Sequence, residues 1–172
     1  PQTVIDPRYV KTMARYNRWQ NTQLMPVLEA MPLDELNTDR GSFFGSILAT
    51  ANHLLWGDTI WMSRFDPSVD APVGGIDTSI DLHATSASWA ADRFRIDGKI
   101  CFWADGMRAL DLKGDLEWYS GAAGRDMKTS YETAIIHFFN HQTHHRGQLH
   151  AMLTSAGQKA PVSDLVLMPK DI

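Results

Sequence analysis

The chemistry-bearing residues of this chain concentrate near its end. Four of its seven histidines fall in the nine residues HFFNHQTHH: His137, His141, His144 and His145. On a helix, at about 100° per residue, His141 and His145 stand only about 40° apart and one turn removed, so both imidazoles reach a common point. That i, i+4 spacing is how a helix places two ligands on one metal ion. His137 and His144 flank the same stripe at about −40° and −60° from His141, with Gln148 near −20°. These three are candidates for orienting the ligand rings.

Two imidazoles make a chelate, and a closed set needs a third ligand from elsewhere. His53, in the apolar setting TANHLLWGD, is the candidate. His83 lies among polar residues and is set aside, as is His150 on the opposite side of the helix. Asp58 reads as a helix-surface or supporting carboxylate, and Arg146 as a solvated or ion-paired face residue. Three neutral imidazoles suit zinc, nickel, copper or iron better than magnesium or calcium. Three protein ligands leave a position open for water or substrate, the pattern of a catalytic site. The plainer alternative makes His53 a hydrogen-bonded core residue and the last cluster a surface group that captures metal by chance. The six tryptophans read first as core or interface, and second as walls of a substrate pocket.

Four helical segments must position these groups. The first runs from about Asp6 to Met31, with Asp6 as N-cap, Pro7 at the first helical position, an interruption expected at Pro26 and an end at Pro32. The second opens at DRGSFFGS, capped by Asp39 or Ser42, and stops at Pro67, spanning roughly 35 Å to Phe65. A breaker-rich loop, DPSVDAPVGGIDTS, precedes a third helix expected over Ser79–Trp103, with Leu82, Trp89, Phe94, Ile100 and Phe102 inward. Residues 109–130 read as a short β-hairpin or an irregular segment. The fourth helix, Tyr131 to Ala156, ends at Gly157, and the tail is expected to pack back on the rest. The pattern predicts an all-α fold, a four-helix bundle, with residues 1–172 forming one domain.

Composition narrows the partners. Hydrophobic residues at 44% and charged residues at 21% are ordinary for a globular domain, and the net charge of −4 carries no basic run. No electrostatic footprint for nucleic acid or anionic lipid is present. No apolar run is long enough for a membrane span. The single Cys101 excludes an internal disulfide and has no activating neighbours in sequence. With no signal-like pattern in PQTVIDPRYVKTM, the expected location is cytoplasmic.

Three stretches, RYNRWQNTQL, DRGSFFGSILATANHLLWGDTIWMSRF and above all NHQTHHRGQLHAML, make the chain resemble the DinB-like (DinB/YfiT) superfamily of metal-binding helical bundles over nearly its whole length. The resemblance implies a four-helix bundle, often a homodimer. It also implies a metal held by one histidine of the second long helix and two residues four apart on the last. On matching positions these are His53, His141 and His145. Relatives include transferases and isomerases that use low-molecular-weight thiols such as mycothiol or bacillithiol. Some mycothiol-dependent members carry a carboxylate where His141 stands and an additional C-terminal domain, which argues against a maleylpyruvate isomerase. The resulting expectation is a thiol-dependent S-transferase with a divalent metal (zinc, nickel or iron), acting on a small-molecule thiol and an electrophilic substrate. A metal-dependent hydrolase of small esters or amides, and a non-catalytic, stress-associated metal-binding bundle, stand as alternatives.

Overall fold

Asp6 opens the first helix in the computed structural model, which describes residues 2–172. Its carboxylate accepts from the backbone amides of Arg8 and Tyr9, and Pro7 occupies the first turn of α1 (Pro7–Ala30). The helix runs through Pro26 instead of breaking there. A proline so close to the end deletes one backbone bond in a turn that is about to stop, just ahead of Pro32. A short α2 (Leu33–Asn37), absent from the sequence expectation, follows and buries Leu36.

The next helix, α3 (Ile47–Phe65), begins later than predicted. Gly41 and Gly45 take φ of +73° and +84°, folding DRGSFFG into a tight turn in which Arg40 N–H bonds the Gly45 carbonyl. Asp39 serves that turn by accepting from Gly41 N–H, and Ser46 is the N-cap, accepting from Ala49 N–H. A 3₁₀ segment, Ile76–Asp81, occupies part of the following loop, and α4 spans Ser86–Asp105 behind the cap Thr85. Phe94 and Phe102 point outward, 74% and 81% exposed, contrary to their predicted inward placement. The inner face of α4 is held by Trp89, Arg93, Ile96, Asp97 and Ile100, so two charged residues sit where aromatics were expected.

Residues 109–130 resolve into a 3₁₀ turn and an antiparallel hairpin, β1 (Asp115–Ser120) and β2 (Arg125–Ser130), joined across Gly121–Gly124. Ser130 then caps α5 (Tyr131–Ser155) by accepting from Thr133 N–H. The tail returns to α1: Tyr16 Oη and Gln20 Nε2 donate to the carbonyls of Ser163 and Val162.

The long helices pack in the closed order α1, α4, α3, α5, around a core that includes Leu28, Leu55, Ile96, Ile100, Phe138 and Leu153. The protein is thus mostly helical, with the short α2 and one two-stranded sheet beside the four long helices. Among the described residues no helix is long and apolar enough to cross a membrane.

A buried polar network ties all four long helices together. Arg93 of α4 donates to Asp58 of α3 at 2.6 Å and to Asp97, one turn along α4, at 2.7 Å. Asn17 and Asn21 of α1 also donate to Asp97, Gln142 of α5 donates to Asp58, and Arg146 of α5 donates to Asn17. Two arginines offset the charge of two aspartates in this buried setting. Yet Arg93 Nη1, Arg146 Nη2, Gln142 Oε1 and Asn21 Oδ1 find no protein partner among the described residues, and burial raises the pKa of both carboxyl groups. Arg146 is therefore a core residue, not a solvated one. Asp58 belongs here rather than beside the histidines.

Candidate metal site

Helix α3 carries His53 and α5 carries His141 and His145, and the packing of these two helices brings one nitrogen of each ring within 4.8 Å of the others. The Nε2 atoms of His53 and His141 are 3.4 Å apart. That approach requires Gly57, one turn along α3 from His53, because a Cβ there would stand 2.8 Å from Cε1 of His141.

The hydrogen bonds fix which nitrogens face inward. Ser79 Oγ gives its proton to the Ile76 carbonyl at 2.6 Å, so toward His53 Nδ1, 2.9 Å away, it can only accept. His53 therefore carries its proton on Nδ1 and turns the bare lone pair of Nε2 to the cluster. His145 Nδ1 lies 2.8 Å from Gln148 Oε1, an acceptor, and the same reasoning leaves its Nε2 free. Two of the three rings are thus held in the tautomer a metal ligand needs, each by a partner on its outer nitrogen.

Ser79 is delivered by the segment Ile76–Asp81, which is clamped onto α3. Asn52 donates to the carbonyls of Ile80 and His83, and Trp56 Nε1 donates to the Val73 carbonyl. Phe44, from the glycine turn before α3, stacks on His53 with ring centroids 4.1 Å apart and leans on His145.

Burial, reinforced by His145, pushes His53 down to about 4 and His141 to about 3. His145 is also lowered, mainly by burial. All three are neutral at pH 7, so a cation entering the cluster meets lone pairs and not protons.

The flanking candidates occupy different places. Gln148 supports His145, as described. His137 packs on Trp61 and His141, with centroids 5.0 and 5.9 Å away, and His144 packs edge-on to His145 on the exposed side. His83 is paired with Asp92 away from the cluster. Sequence reasoning missed Ser79, Phe44 and Gly57. Only Gly57 left a signal, as a glycine inside a strong helix one turn from a candidate ligand.

The three histidines form the floor of a cavity of about 960 Å³. Its walls are Phe44, Trp56, Ile60 and Trp61, with Trp118 and Tyr119 of the hairpin, and Asp77 is the one carboxylate lining it. Cys101 lies elsewhere, buried with its Sγ toward the Ala14 carbonyl and its pKa raised by burial.

A mostly helical fold with a histidine cluster between two of its long helices marks a class of protein shared with known sequences and structures. Residues 6–171 match the DinB family, and the chain belongs to that family. Protein DinB of Bacillus subtilis (strain 168) is 26% identical over 152 residues, covering 87% of each chain. The crystal structure of a DinB-like protein from Bacillus cereus ATCC 10987 shares the fold with a TM-score of 0.60. That match has 16% identity and covers 84% of this chain and 91% of the other.

Proposed function

We propose that His53, His141 and His145 hold one divalent transition metal, zinc, nickel or iron, with the remaining position open to the cavity, and that the protein is a thiol-dependent S-transferase. The supporting observation is the convergence of three neutral imidazoles, two with their tautomers set from outside, at the base of an apolar cavity. A metal held there supplies the Lewis acidity that keeps a small-molecule thiol as its thiolate at neutral pH. The apolar walls exclude water around the sulfur and accept the electrophile. With Cys101 buried far from the cavity chemistry, the sulfur nucleophile has to come from a small molecule. An open cavity also argues against a purely structural site.

Asp77 on the cavity wall keeps a second reading in play, hydrolysis of a small ester or amide by an activated water. Protein purified without a histidine tag should contain about one metal per chain by elemental analysis, and the His141→Ala, His145→Ala double variant should contain none. The metal-loaded protein should then transfer a panel of thiols to electrophiles. Ester hydrolysis without thiol, abolished in Asp77→Asn, would favour the second reading instead.

The same reading includes a homodimer. Phe94 and Phe102, exposed on one side of α4, support it, and light scattering should show Phe102→Glu shifting the protein toward monomer.

A further inference from the structure

We propose that the cavity takes an extended organic anion, with its reacting end at the histidines and a carboxylate at Arg64. The inference rests on the proposed metal site and adds the class of molecule that fits it.

The placement follows from helix geometry. Arg64 stands eleven positions after His53 on α3, which returns it to within about 20° of the same stripe and about 16 Å further along the axis. His53, Gly57, Ile60 and Arg64 thus form one wall of the cavity, read from floor to far end. Helical side chains lean toward the N-terminus at both positions, so the offset between guanidinium and histidines is set by the three turns between them and shortened only by the greater length of the arginine.

At that far end the guanidinium is held but not neutralised. Its Cζ lies 4.5 Å from the Trp61 ring centroid and 5.3 Å from that of Trp118, so one indole from α3 and one from the hairpin fix its plane. Among the described residues it has no carboxylate partner, unlike Arg93, which is shared by Asp58 and Asp97. Its partial burial disfavours the charge. A half-buried, stacked guanidinium with free donors, lining a cavity with one rim carboxylate, matches a planar anion presented bidentately. A ligand with its anion close to its reactive end cannot bridge the two sites.

The test uses cobalt-loaded protein and three thiols: mercaptooctanoate, mercaptooctanol and mercaptopropionate. Binding is read from the thiolate-to-cobalt absorption band and from quenching of intrinsic tryptophan fluorescence, to which Trp56, Trp61 and Trp118 of the cavity contribute. Mercaptooctanoate should bind at least about tenfold more tightly than either other thiol, as one charge-assisted contact requires. In Arg64→Met its advantage over mercaptooctanol should vanish while the cobalt spectrum and mercaptooctanol affinity stay unchanged, and Arg64→Lys should keep part of it. Equal binding of the two long thiols by the parent protein, or an advantage that survives Arg64→Met, would overturn the proposal. Absence of a cobalt spectrum would count against the metal reading alone. Quenching of the metal-free protein by octanoate, present in the parent and lost in Arg64→Met or absent in both, would still decide for or against Arg64.

Discussion

Gly57 and His141 are complementary across the α3–α5 contact: the missing side chain of one is the space occupied by the ring of the other. Gly57→Ala should therefore separate stability from binding. Alanine improves helix propensity by about 1 kcal/mol, while its methyl displaces the His141 ring. The expected result is an unchanged or raised thermal midpoint with metal affinity lowered at least about tenfold. Calorimetry and a competitive chelator titration measure the two halves.

The partners of the outer nitrogens make a matching pair of predictions. Ser79→Ala and Gln148→Leu remove the groups that set the tautomers of His53 and His145. Each should cost about 10–100-fold in metal affinity without loss of helical circular dichroism. Wild-type affinity in both variants would mean the rings are held by packing alone.

Metal removal should leave the fold standing. The core and the polar network lie beside the histidines and do not pass through them. Exhaustive chelation should lower the thermal midpoint by mass action yet preserve a cooperative transition. Unfolding on chelation, as in small zinc domains, would contradict the structure.

The depressed histidines predict the pH dependence of the metal-free protein. With His141 near 3 and His53 near 4 in the folded chain, against 6.5 unfolded, the unfolded state binds more protons between those limits. Stability then rises with pH across that window and is lost as pH falls from about 6.5 toward about 4. His141→Ala should flatten the slope of thermal midpoint against pH in this range.

Arg93→Met should be among the most damaging single changes. It leaves Asp58 and Asp97 buried without their shared cation, a loss of about 3–5 kcal/mol. Urea denaturation should show it, whereas Arg95→Met, which removes an exposed pair with Asp92, should cost about 1 kcal/mol or less.

The parts legible in the sequence were those governed by one helix at a time. The cap at Asp6, the stripe His141–His145–Gln148 and the stop after α5 all follow from local geometry. His53 stood out as a lone imidazole in an apolar run. Ser79 could not be found this way, because its loop reaches His53 only through the clamp made by Asn52 and Trp56. The start of α3 was misplaced because Phe43 and Phe44 continue an apolar pattern across two glycines whose φ values no helix accepts. Phe94 and Phe102 face outward although hydrophobic pattern predicts them on the inner face of α4. Arg93 and Asp97 hold that face through bonds to partners 35 to 80 residues away, a pairing invisible to periodicity.

Those distant pairings have a consequence for how the site can change. His141 is followed directly by Gln142, His145 by Arg146, and Gly57 by Asp58, so two of the three histidines and the glycine that makes room for one of them each have a network member as chain neighbour. Successive residues diverge by about 100° around a helix, so two seams run side by side along the α3–α5 contact. The network seam works as a key in its slot, setting the rotation and depth of both helices whatever occupies the neighbouring seam. A scaffold keyed in this way can exchange one side chain of the cluster for another and still deliver three side chains to the same point.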